Sequence, residues 1–214
     1  METLLLSAAA GCALAYLFFT ARPAGLLRSI LKTSSVALLA LLALIAGAPV
    51  LLALGLLLCA LGDYCLSRDG EGAFMAGVGA FAAGHLAYVV LFLSTPGSDP
   101  GRLLQMSGLL ILTALVLLGG IMVRVLAPRA GALKGAVLAY IPIILSMGAA
   151  AATLPGQGAL VWALPAALAF VASDVVLAFE TFVLPEGHRL RRIAPYAVWP
   201  LYWGAQLGFW YAFS

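Results

Sequence analysis

The sequence reads as an all-α, multi-pass transmembrane helical bundle of eight helices. Of its 214 residues, 64% are hydrophobic and only 9% are charged, where soluble domains carry about 25% charged residues. So few charges cannot cover a water-exposed surface, which excludes a cytosolic enzyme and a disordered chain. The net charge of +3 forms no basic stripe, which excludes a nucleic-acid binder. The third observation is the segmentation itself: charges, prolines and glycines cut the chain into apolar runs near the ~20 residues a spanning helix needs.

The runs fall at 3–20, 33–47, 49–66, 72–94, 104–125, 133–152, 158–181 and 194–213. The first carries an acid and no basic stretch before its apolar run, so it reads as a spanning helix and not as a cleaved signal peptide. At Gly47-Ala48-Pro49 the second and third runs are separated by almost nothing, which predicts either a tight hairpin or one broken element. Cys12, Cys59 and Cys65 lie inside apolar runs without metal-ligand spacing and read as small apolar packing.

Lysine and arginine set the topology. Ten of the eleven, from Arg22, Arg28 and Lys32 through Arg68, Arg124, Arg129 and Lys134 to Arg189, Arg191 and Arg192, flank the loops after the first, third, fifth and seventh helices; Arg102 alone lies opposite. The bias predicts a cell-membrane protein with those loops in the cytoplasm and both termini extracytoplasmic.

The chain reads as one transmembrane domain, 1–214, with a candidate internal duplication of parallel four-helix repeats, 1–96 and 103–214. Gly62-Asp63-Tyr64-Cys65-Leu66 matches Ser173-Asp174-Val175-Val176-Leu177, and Asp69 falls opposite Glu180 at the same offset. At a second constant offset Phe81, His85, Tyr88 and Phe92 match Tyr202, Gln206, Phe209 and Phe213, each set on one helical face. Lys32 and Lys134 open the second and sixth helices. Leucine-rich and alanine-rich helices also align by chance; the costly Asp, His and Gln at matched places favour duplication.

Asp63 and Asp174 lie within predicted spans and toward the cytoplasmic half, where they could face one cavity. Burial and the negative end of a helix dipole both favour a retained proton. Two carboxyls sharing a cavity titrate apart, leaving one as an acid and the other as a charge stabiliser. The alternative is that each only bonds a neighbouring helix.

His85 shares its face with aromatic residues, beside a small-residue stripe of Ala76, Ala80 and Gly84 that admits a close partner helix; it reads equally as an interhelical donor or a functional group. Tyr202 and Gln206 could bind substrate or the carboxylates. Lys32 could hold an anionic headgroup or simply snorkel. His188 reads as a solvated loop residue, and Trp199, Trp203, Trp210 and Tyr211 as interfacial and packing aromatics.

There is no Gly-x-Ser-x-Gly, His-Glu-x-x-His, P-loop or GxGxxG motif, which argues against a serine hydrolase, a zincin or a nucleotide-driven pump. No cofactor is expected. One histidine and two carboxylates supply a metal site poorly, and none is expected.

The chain carries, in order, Gly62-Asp63-x-x-Leu66, Phe81-x-x-x-His85-x-x-Tyr88, Tyr140 with Met147, Phe170-x-x-Ser173-Asp174-x-x-Leu177-Ala178 and Tyr202-Trp203-Gly204-Ala205-Gln206. In this order the motifs resemble those of the YhhN-like family of integral membrane proteins, which includes the lysoplasmalogenases. The family often has a proline after its early lysine, where this chain has Thr33, and a second tyrosine where it has Trp203. The resemblance implies a hydrolase that cleaves the vinyl ether of a lysoplasmalogen, a lysophospholipid of the bilayer, to a fatty aldehyde and glycerophosphoethanolamine or glycerophosphocholine.

It implies Asp63 and Asp174 as catalytic residues. A cavity lined by His85, Tyr88, Tyr140, Ser173, Tyr202 and Gln206, with Lys32 at the phosphate, would complete the site. The competing reading is a four-plus-four helix transporter of a small or lipid-like solute.

Overall fold

A computed structural model describes residues 1–20, 22–23 and 25–214. Among the described residues the chain forms eight α-helices and no strand: α1 (Glu2–Leu17), α2 (Leu26–Ile45), α3 (Val50–Leu66), α4 (Glu71–Ser94), α5 (Met106–Leu126), α6 (Lys134–Ala151), α7 (Ala163–Phe182) and α8 (Arg189–Phe213). Short 3₁₀ turns, Pro100–Leu104, Gly131–Leu133 and Gly158–Trp162, lead into α5, α6 and α7.

The helical multi-pass bundle expected from composition is present. By length and composition α2, α4, α5 and, each with its leading 3₁₀ turn, α6 and α7 can cross a membrane. Apolar α1 and α3 have 16 and 17 residues, about 24–26 Å of helix at 1.5 Å per residue, and α8 carries three arginines in its first turn and two internal prolines.

Two helix starts differ from expectation. α2 begins at Leu26, so Arg28 and Lys32 belong to the helix and do not precede it. α8 begins at Arg189, capped by the His188 side chain, which accepts from the Leu190 N–H at 3.2 Å. In both cases charged residues at a membrane surface continue a helix instead of ending it, since Lys and Arg are good helix formers.

Between α2 and α3 the chain makes a tight hairpin. Gly47 takes φ +70°, its N–H bonds the Leu44 carbonyl, and the Ala48 N–H bonds the Ala43 carbonyl at 2.9 Å. This is a Schellman closure, and only glycine takes such a φ without strain. Pro49 then precedes α3 as its N-cap residue, where its missing amide interrupts no helical hydrogen bond.

The most intimate helix pairs are α3 with α4 and α7 with α8. On α4 the face against α3 is Gly77, Ala80 and Gly84, all buried, whereas Ala76 is exposed; the close-approach stripe thus runs one residue away from its expected start. A Cβ on Gly84 would stand 2.9 Å from Cys59 Sγ and 3.2 Å from the Gly55 carbonyl oxygen.

Gly84→Leu is therefore expected to destabilise the protein by about 1–3 kcal/mol through overpacking. A lowered thermal midpoint in detergent would report it. Gly79, where an added Cβ meets nothing within 4 Å, provides the control: Gly79→Ala should leave the midpoint unchanged or slightly raised.

Candidate active site

A cavity of about 930 Å³ opens at one end of the bundle. Its walls come from the ends of α1, α3, α5 and α7 and the starts of α2, α4, α6 and α8, so the basic ends of the helices gather around one mouth. Asp63 from α3 and Asp174 from α7 both line it.

Their surroundings differ. Asp63, fully buried, receives the Lys32 ammonium at 2.9 Å on Oδ1 and the Tyr202 hydroxyl at 2.6 Å on Oδ2. An ammonium and a hydroxyl donor are both partners that favour the charged form of a carboxyl group. Asp174 accepts from the Tyr140 hydroxyl at 2.6 Å on Oδ2 and, among the described residues, has no cation within salt-bridge distance.

Ser173 Oγ stands 3.3 Å from Asp174 Oδ1 and 2.7 Å from the Phe170 carbonyl. A hydroxyl has one proton to give, and the shorter contact takes it. The Ser173 oxygen is then free to accept a proton carried on Asp174 Oδ1.

Helix periodicity explains the convergence. Arg28 and Lys32 share a face of α2; Val171, Asp174 or Val175, and Ala178 share one of α7; Arg191, Pro195, Trp199 and Tyr202 share one of α8, and all of them line the cavity. Trp199 fixes α8 against α1 by donating Nε1–H to the Ala13 carbonyl at 2.9 Å and packing 4.3 Å from the Tyr16 ring.

Lys32, Tyr140, Ser173 and Tyr202, named from sequence, line the cavity with the two acids, whereas His85, Tyr88 and Gln206 are fully buried away from its lining. The reason is local pairing. Tyr88 donates to Gln206 Oε1 at 2.6 Å, and His85 Nδ1 meets the carbonyl of Phe81, one turn back on its own helix, at 2.6 Å. That contact requires the proton on Nδ1, so the Tyr140 oxygen 3.5 Å away gains little from it. Lys134, aligned with Lys32 in sequence, is exposed and outside the lining.

Sequence reasoning missed Arg22, Arg28, Arg191 and Arg192 as cavity residues, because their charge was already explained by topology. The i, i+4 placement of Arg28 and Lys32 was the available signal. Among the described residues no group of three or more His, Cys, Asp or Glu side chains is gathered at one point.

No solved structure matches the chain. A pig (Sus scrofa) protein named lysoplasmalogenase TMEM86B is 37% identical over 154 residues, a region that makes up 72% of this chain and 59% of that protein. The chain thus spans less than two thirds of its relative's length. The YhhN family matches residues 27–212, and so nearly the whole bundle, including both acids, both tyrosines and Lys32, lies inside the match: the chain belongs to the YhhN family.

Proposed function

We propose that the protein is a lysoplasmalogenase-type hydrolase that cleaves the vinyl ether of a lysophospholipid, with Asp174 as proton donor and Asp63 as the stabilising carboxylate. The observation that carries the reading is the asymmetry within one cavity. Both acids are held by a tyrosine, but among the described residues only Asp63 has a cation within salt-bridge distance, and an acid–carboxylate pair is what this reaction needs. The name of the pig relative supports the substrate class.

Asp174 gives its proton to the alkenyl carbon one removed from the ether carbon; the C=C π pair forms the new C–H bond, and the cation is an oxocarbenium shared between carbon and ether oxygen. Water adds to the carbon and gives up a proton, which restores Asp174. The hemiacetal then collapses to a fatty aldehyde and the free glycerol hydroxyl of the glycerophospho headgroup.

In this reading the Asp63 charge favours the cation and one of its lone pairs orients the water, much as paired carboxyls serve glycoside cleavage. Tyr140 and Tyr202 hold the two groups in place. The apolar wall of the cavity, with Met122, Leu126 and Ile144, suits the alkenyl chain.

Positive charge at the mouth supports a cytoplasmic opening in the cell membrane, with both termini outside.

The test is aldehyde release from a 1-alkenyl lysophospholipid by protein purified in detergent. Release that scales with protein is expected. Absence of aldehyde, together with solute movement seen only across sealed vesicles, would replace this reading with a transporter.

A further inference from the structure

The headgroup end of the cavity carries a second set of residues that the acid chemistry does not use. Arg22, Arg28, Arg191 and Arg192 all line the cavity at its mouth, with Glu180 as the carboxylate among them, so the mouth keeps a net positive charge. Lys32, the cation expected to meet a phosphate, is engaged with Asp63 at 2.9 Å.

Arg28 is placed differently from an arginine that snorkels to water. It is half-buried; one guanidinium nitrogen donates to the Thr20 carbonyl at 3.3 Å, and its carbon stands 5.9 Å from the centre of the Tyr16 ring. Its Nε–H is buried and has no hydrogen-bond partner among the described residues. A buried, unpaired guanidinium donor is costly, and it lines a cavity whose ligand would satisfy it. The helix starts of α2 and α8 open at the same mouth, adding their positive ends.

We infer that Arg28 and Arg191, flanked by Arg22 and Arg192, form a phosphodiester site that anchors the headgroup of a lysophospholipid at the cavity mouth. The inference rests on the lysophospholipid reading above and adds what selects the substrate. Arg28 lies one helical turn before Lys32, about 6 Å along the axis. In a 1-alkenyl lysophospholipid five bonds separate the phosphorus from the ether oxygen, roughly 6 Å at ordinary single-bond lengths of ~1.5 Å. A phosphate at Arg28 therefore sets the ether oxygen at the depth of Lys32 and Asp63, and the alkenyl chain continues along the apolar wall. Guanidinium groups suit a phosphodiester because they bind two oxygens at once.

The experiment measures calorimetric affinity in detergent for two saturated-ether amphiphiles of equal chain length, a 1-alkyl-glycerophosphoethanolamine and the corresponding 1-alkylglycerol. Neither has a vinyl ether, so binding is read whether or not the protein cleaves one, and loss of the hydrolase reading would appear only in the aldehyde assay. Wild-type protein is expected to bind the phosphate-bearing ligand at least about tenfold more tightly. Arg28→Gln with Arg191→Gln should erase that preference while leaving the alkylglycerol affinity in place, and Arg28→Lys should restore only part of it.

Equal wild-type affinity for the two ligands would overturn the inference. So would a parallel loss of both affinities in a double variant that still elutes as a folded species. If the double variant does not fold, the wild-type preference and the Arg28→Lys value decide. Inorganic phosphate at the lipid's concentration should not compete; displacement would assign the site to free phosphate and overturn the lipid assignment.

Discussion

Asp174→Asn is expected to reduce aldehyde release by roughly 10²–10⁴-fold, the usual contribution of a positioned general acid, while the protein still folds. The side-chain amide oxygen of asparagine can still accept the Tyr140 hydroxyl that Asp174 receives at 2.6 Å, so packing around α6 and α7 is kept and only the transferable proton is lost. Initial rates per folded protein, with the thermal midpoint measured in parallel, check this. Near-normal turnover in the folded variant would remove Asp174 from the chemistry.

Asp63→Asn should behave differently. It removes the carboxylate facing Lys32, whose side chain is 19% exposed, and leaves an ammonium without its counter-charge. Breaking a buried pair from one side costs about 3–5 kcal/mol, and the residual exposure of Lys32 puts the expected loss near the lower end. The folded yield and the thermal midpoint should therefore fall together with turnover.

Adding Lys32→Met to Asp63→Asn removes the orphaned cation and should recover much of the midpoint without recovering aldehyde release. Two single losses that simply add in the double variant would mean that the pair is not coupled. Recovery of turnover in the double variant would mean that the Asp63 charge is not needed.

Much of the architecture was legible from residues. Charge spacing and apolar run length place all eight helices, because a bilayer penalises any other arrangement of backbone polar groups. Helix starts were less legible: Arg28 and Arg192 look like loop residues to a rule that ends spans at charges, yet a helix surface readily carries arginine into the interface. That Asp63 and Asp174 could share a cavity was suggested by their similar depth in the third and seventh runs, and both line it.

What the one-dimensional pattern could not carry was partner identity. Tyr202 and Gln206 lie on one face of α8 four residues apart, but Tyr202 reaches Asp63 and Gln206 reaches Tyr88. That separation is made by the depth at which α8 crosses α3 and α4, a tertiary quantity. Lys32 read equally as a headgroup ligand or a snorkelling side chain; one turn further into α2 than Arg28, its ammonium stands 2.9 Å from Asp63 Oδ1, a partner that spacing along one helix could not name.

The proposed difference in proton occupancy between the two acids can be measured directly by infrared difference spectroscopy of the protein in detergent near neutral pH, subtracting each asparagine variant from wild type. A protonated carboxyl stretch that vanishes in Asp174→Asn and persists in Asp63→Asn is the expected result. A protonated band that belongs to Asp63, or none assignable to either residue, would contradict an acid at Asp174 working beside a carboxylate at Asp63.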